Sequence, residues 1–232
     1  MPSMPVILAW SGGKDSALAL QALRADPRYE PIALLTTVTR EFDRISMHGV
    51  RRTLLHEQAR AVGLPLLEAE IAAATSNADY ERAMAAAIDE ISRRFPWARH
   101  LAFGDLFLAD VRAYRERQLA ETPLDPLFPL WGLETRRLAL QFIEDGFEAV
   151  IACADTRQIH ASFAGRRYDR SFLHDLPVSA DPCGENGEFH TFVADGPGFR
   201  HRVGYTTGER VLRDGRFAYC DLLPASGVTS PP

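Results

Sequence analysis

The chain has 232 residues, 46% of them hydrophobic and 25% charged, with a net charge of -5. That is enough to bury a substantial core in one large domain or two small ones. No apolar stretch approaches the roughly eighteen residues of a membrane span, and no basic cluster precedes the short apolar run near the N-terminus, so a cytoplasmic protein with no membrane partner is expected. The acidic balance, with no run of basic residues, argues against an extended nucleic-acid surface. Cys153, Cys183 and Cys220 are odd in number and far apart, which argues against a C-x-x-C site or a disulfide framework.

In chain order, an apolar run at 6–9 reads as a strand and residues 17–24 as a helix ending before Asp26-Pro27. Residues 31–38 read as a buried parallel strand. A helix is expected over 49–62, stopped by Gly63, then a strand at 65–70. Met84, Ile88, Ile91 and Phe95 follow a helical spacing and predict a helix over 79–94, followed by a short strand at 100–103 and a helix at 109–121. Strands alternating with helices imply a doubly wound, mainly parallel α/β sheet, with ligands beyond the carboxyl ends of its strands. Pro123, Pro126 and Pro129 mark a break, so a first domain over 1–125 and a smaller α+β domain over 126–232 are expected, with 127–131 readable as one more short strand. Beyond it lie a helix at 134–145, a buried run at 149–154 and irregular sequence to Pro177. Two strands then flank Asp214-Gly215, a strong hairpin signal, and 225–232 reads as a frayed tail.

The chemistry concentrates in a few stretches. Ser11-Gly12-Gly13-Lys14-Asp15-Ser16 follows the first strand and opens the first helix. Its glycines let backbone N–H groups approach an anion at the positive end of that helix. It is neither a Walker loop nor G-x-G-x-x-G. Lys14 is the single lysine among 26 basic residues, and a compact ammonium suits a point contact to phosphate. Its side chain is expected to contribute charge and little packing. Gly104-Asp105 lies just past the strand at 100–103, at the ligand edge of the sheet, where Asp105 suits ribose, metal or substrate. Arg112 and Arg115 lie on one face of the following helix, and Arg112 also forms an ordinary i,i+4 pair with Glu116. Ser46-Met47-His48-Gly49 is read as opening a helix, with His48 able to approach a nucleotide. Asp181-Pro182-Cys183-Gly184-Glu185-Asn186-Gly187-Glu188-Phe189-His190-Thr191-Phe192 is read as a tight loop leading into a strand, with Glu188 and His190 on one face and Phe189, Thr191 and Val193 on the other. Glu185, Glu188 and His190 there can bind an ammonia-like group and move its protons. A solvated turn before an edge strand is the plain alternative.

The loop spacing resembles the PP-loop, S-G-G-x-D-S, of the ATP pyrophosphatases. Together with S-M-H-G-V-R, F-G-D-L-F-L-x-D-V-R-x-Y-R-E, F-P-L-W-G and D-P-C-G-E-N-G-E-F-H-T-F-V, it resembles the diphthine-ammonia ligase family over about residues 5–200, in forms similar to its shorter bacterial branch. The resemblance implies an adenine nucleotide alpha hydrolase-like domain followed by a smaller domain. It implies ATP bound by Ser11, Gly12, Gly13, Lys14, Asp15 and Ser16 with Thr37, His48 and Gly104, and Mg²⁺ with Asp15 as ligand. It further implies catalysis by Lys14, Asp105, Glu185, Glu188 and His190. The implied reaction adenylates a carboxylate and amidates it with free ammonium, releasing AMP and pyrophosphate, since no glutaminase domain fits in the chain. The acceptor, small or protein-borne, stays open, as does a homodimer. Two other readings stand beside this one: a PP-loop RNA-modifying enzyme, and an adenine-nucleotide-binding module without chemistry.

Overall fold

The computed structural model describes residues 2–225. Apart from Ala225, the expected C-terminal tail lies outside the described residues. The first half of the chain forms β1 (Met4–Ala9), α1 (Lys14–Ala25), β2 (Tyr29–Thr39), β3 (Arg44–Ile45), α2 (Arg52–Val62), β4 (Leu66–Ile71), α3 (Asn77–Arg94), β5 (His100–Ala102), α4 (Ala109–Leu119) and β6 (Asp125–Leu127). The second half adds α5 (Thr135–Glu144), β7 (Glu148–Asp155), α6 (Arg170–Asp175), β8 (Phe189–Asp195), β9 (Tyr205–Arg213) and β10 (Phe217–Pro224). Two compact units result. The first holds Met1–Ser11, Asp15–Asp43 and Leu64–Gly132; the second holds Gly12–Lys14, Arg44–Gly63 and Leu133–Pro232.

In the first unit β1 is central and pairs in parallel with β2 on one side and β5 on the other, while β4 adds outside β2 and β6 outside β5. The chain therefore leaves β1 in one direction and later returns to its other edge, which makes the carboxyl ends of β1 and β5 a topological switch point where ligands bind. The strands are near-continuous apolar runs because both faces of the sheet are covered, and Val6, Ile7, Leu8, Ala33 and Leu34 have no exposed surface. On one face Ile7, Leu35, Leu67 and Leu101 join Met84, Ile88 and Ile91 of α3 in a single apolar cluster. Helix α3 starts earlier than its apolar spacing predicts, because Ser76 caps it by accepting from Asp79 N at 3.2 Å.

In the second unit four antiparallel strands run in the order β8-β7-β10-β9. The turn between β9 and β10 has Asp214 at φ 53 and Gly215 at φ 58. These are the two left-handed central residues of a tight turn closed by Arg216 N donating to Arg213 O at 3.0 Å, so the sequence signal and the geometry agree. Helix α5 is capped by Glu134, whose carboxylate accepts from Arg136 N and Arg137 N at 2.8 and 2.7 Å. It buries Phe142, which stacks on Phe147 and meets Tyr168 edge-on; Tyr168 in turn packs on Phe172, and Phe172 on Phe189. Within the stretch expected to be irregular, Asp169 caps the short helix α6 by accepting from Phe172 N at 2.9 Å. The helix expected from Gly49 begins instead at Arg52. Met47 and Gly49 take φ 65 and 68, and Arg44 pairs with Arg51, so residues 46–49 form a tight turn.

Candidate active site

The loop leaving β1 is fixed first by Trp10, which has 1% of its surface exposed and whose N–H donates to Leu35 O at 2.7 Å. Two residues further along β2, past the level of Trp10, lies Thr37, half-buried and in register with Ala69. Ser11 Oγ and Ser16 Oγ lie 3.5 Å apart across the loop. Gly104 packs on the same turn, since a Cβ there would lie 2.9 Å from the carbonyl carbon of Asp15. Asp105 follows. Its carboxyl is pushed above the usual range by burial, against the pull of Arg115, and the charge of Asp15 pushes the same way. Arg115 Nε stands 3.7 Å from Asp105 Oδ2, too long for a hydrogen bond, and both atoms are buried without such a partner. Thus Ser11, Asp15, Ser16, Gly104 and Asp105 come together within the first unit, at the carboxyl ends of β1 and β5.

The second unit gathers the rest of the loop. Gly12 takes φ 73, and a Cβ on it would lie 2.4 Å from Gln58 Oε1, so only glycine fits there. Gly12 O accepts from Val193 N and from Gln58 Nε2, both at 2.9 Å, and the same Gln58 nitrogen donates to Val193 O at 2.6 Å. Gln58 has no exposed surface. A Cβ on Gly13 would touch His48 Cε1 at 2.9 Å and Thr191 O at 3.1 Å. Lys14 N donates to Thr191 Oγ1 at 2.9 Å, and Lys14 Nζ lies 6.0 Å from the centre of the Phe189 ring. Contrary to the expectation of a loosely packed side chain, Lys14 is 1% exposed.

His48 and His190 stand beside this loop with ring centres 4.6 Å apart. His48 Nδ1 lies 3.2 Å from Thr191 O. A carbonyl only accepts, so Nδ1 carries the proton and Nε2 presents a lone pair. Burial lowers the His48 pKa to about 4; the bond to Thr191 opposes this and the Lys14 charge adds to it. His190 is lowered to about 3 by burial, then by His48 and Lys14. Both imidazoles are neutral near pH 7.

Glu188 immediately precedes β8 and is 1% exposed, which rules out the solvated turn. Its Oε1 accepts from Asp181 N at 2.7 Å and Asn186 Nδ2 at 3.1 Å, while Oε2 is buried without a hydrogen-bond partner. Glu185 sits half-buried in the turn above it, its N–H donating to Asp181 Oδ1 at 3.2 Å. Gly12, Gly13, Lys14, His48 and His190 are therefore brought together, with Glu188 two residues along the chain from His190. Sequence reasoning missed Gln58 and Thr191. Thr191 lies within the signature stretch around His190, but strand alternation assigns it to the packing face; for Gln58, an uncharged glutamine among the apolar positions of α2 is a weak signal for a buried hydrogen-bonding role.

Among the described residues no helix is long and apolar enough to cross a membrane. The family model for the diphthamide synthase N-terminal domain matches residues 4–123, and that for the diphthamide synthase C-terminal domain matches residues 134–225. A diphthine–ammonia ligase of Danio rerio is 26% identical over 240 residues, which cover 95% of this chain and 94% of that protein. With its switch-point loop, its buried lysine and both family domains in order, the chain belongs to the diphthamide synthase family.

Proposed function

We propose that the protein is an ATP-dependent ligase that forms an amide from a carboxylate and ammonium, with diphthine, the acceptor named for the Danio rerio relative, as the first acceptor to test. The observation that carries this reading is the environment of Lys14: a buried ammonium in a glycine loop at a sheet switch point, flanked by two neutral imidazoles. The loop amides and Lys14 hold the pyrophosphate portion of ATP. A carboxylate oxygen of the acceptor attacks the α-phosphorus, the α–β bond breaks and pyrophosphate leaves. Ammonia nitrogen then attacks the acyl carbon, and AMP departs with the carbonyl–oxygen bond electrons.

Ammonium must lose a proton before its nitrogen has a lone pair to attack with. His48 and His190 enter that step in the form that accepts protons, and anionic phosphates near Lys14 offset the charge that lowers their pKa values. Nucleotide binding therefore makes both rings better bases. Glu188 Oε2, buried and lacking a donor, suits a cationic N–H group. Among the described residues no three Asp, Glu, His or Cys side chains are arranged to hold a metal ion. Asp15 and Asp105 fit magnesium nonetheless, because that ion takes one or two carboxylates together with phosphates and water. When bound it would supply charge neutralisation on the phosphates.

The test is to incubate the protein with ATP, ammonium and diphthine or other carboxylic acids, and to look for AMP, pyrophosphate and the amide. ADP and phosphate as products would overturn the assignment of the loop. Glu188→Gln should retain ATP affinity and lose about 10² to 10⁴ in amide formation, the range expected if Glu188 takes a proton from the ammonium it binds and passes it on to the imidazoles. Near-normal turnover in that variant would remove Glu188 from the mechanism.

A further inference from the structure

The turn that carries His48 is strained. His48 N donates to Ser46 O at 2.8 Å across Met47, whose φ is 65, and this left-handed three-residue turn is disfavoured for a residue with a side chain. Burial of Met47 does not offset the strain, because its side chain is 68% exposed. What the turn accomplishes is to place the His48 ring against Thr191 O, His190 and Gly13.

Strain of this kind persists only where surrounding contacts over-determine the conformation. Those contacts come from β10. Asp221 Oδ1 accepts from Arg44 Nη1 at 2.9 Å and from Arg51 Nε at 3.0 Å, and Asp221 Oδ2 accepts from Arg51 Nη2 at 2.6 Å. Arg44 and Arg51 bracket the turn and pair with each other. Arg44 Nη1 also donates to Gly49 O at 2.7 Å. Two residues before Asp221, on the same face of β10, Tyr219 fills the space a Cβ on Gly49 would need, 2.6 Å away, and its hydroxyl donates to Met47 O at 3.4 Å. An isolated surface ion pair contributes little, but a bidentate guanidinium–carboxylate pair joined to a second arginine fixes geometry.

The geometry points to Asp221 as a positioning residue: through Arg44 and Arg51 it holds the 46–49 turn so that His48 meets the phosphate loop in a single tautomer. The value of that placement rests on the role of His48 in the proposed reaction, whereas the placement itself does not. Asp221→Asn keeps the shape and removes the charge that binds both arginines. With ¹⁵N-labelled histidine, the native protein should show His48 protonated at Nδ1 and titrating far below an ordinary histidine, as burial and Lys14 require. In Asp221→Asn the ring should show mixed tautomers and a pKa moved back toward the ordinary range. ATP affinity should fall about tenfold in Asp221→Asn and in His48→Ala, with no further loss in the double variant, as expected when one residue acts through the other. If Asp221→Asn fails to fold, Arg44→Gln, which removes the bonds to both Asp221 and Gly49, is read in the same way. An unchanged His48 tautomer and pKa, or additive losses in the double variant, would overturn the inference. A changed tautomer with native ATP affinity in His48→Ala would leave the clasp standing and dismiss the nucleotide role of His48.

Discussion

At the scale of single residues, the site is organised by a charge placed where charge is costly. Lys14 is buried beside Phe189 and between elements that carry two imidazoles, so its ammonium is poorly solvated, and its field adds to the burial that holds His48 and His190 neutral. Lys14→Met preserves most of the volume and removes the charge. Its melting temperature should stay near that of the parent, whereas ATP affinity should fall by about 10- to 100-fold, the value of a charge-assisted hydrogen bond. Calorimetric titration with ATP and thermal denaturation on one preparation check both halves. The same substitution should raise the pKa of both histidines, because their neighbouring positive charge is gone.

At the scale of elements, the loop after β1 depends on two supports of different kinds. Backbone conformation is one: Gly12 at φ 73 is accessible to glycine without strain. The other is the buried Gln58 of α2, which joins Gly12 O to Val193 O on β8. Gly12→Ala meets both obstacles, adding about 1–2 kcal/mol of backbone strain to a clash with Gln58 Oε1 at 2.4 Å. The variant should lose ATP binding and melt several degrees lower. Adding Gln58→Ala should relieve the clash and leave the φ strain, so recovery should be partial. Full recovery would show that the conformation of Gly12 is unimportant.

For the whole molecule, the two neutral imidazoles set the response to acid. A histidine whose folded pKa lies below its unfolded value of 6.5 binds fewer protons folded than unfolded, so acid favours the unfolded chain. Stability should therefore begin to fall as pH drops below about 6.5 and continue falling until the folded pKa values near 4 and 3 are passed. Asp155, lowered to about 2 by Arg216 hydrogen bonds, and Asp221, lowered by Arg51 and Arg44, add losses at the acid end, since their pairs are broken by protonation. Urea denaturation between pH 7 and 5 isolates the histidine contribution. His190→Gln should flatten that part of the profile, and an unchanged slope would show that folding does not lower the pKa of His190.

Local chemistry made most of the order of strands and helices, though not the short β3 and α6, legible in the sequence, together with the phosphate loop and the β9–β10 hairpin. Each depends on residues close together in the chain: apolar periodicity, paired glycines after a strand, and Asp214-Gly215 with its tolerance of positive φ. The family's stretches were equally readable in Ser11–Ser16 and Gly184–His190 as strings of residues. Tertiary structure alone decided that residues 46–49 turn instead of starting α2, because the forces that hold the turn come from Tyr219 and Asp221, about 170 residues away. It alone decided that Glu188 is buried, and that Gln58 and Thr191 hold the loop through bonds spanning 46 and 177 residues. Propensity and periodicity record what a residue does to its neighbours in the chain. The tautomer of His48 is set by the Thr191 carbonyl, and its neutrality by burial with the Lys14 charge added to it, and only folding brings these to the ring.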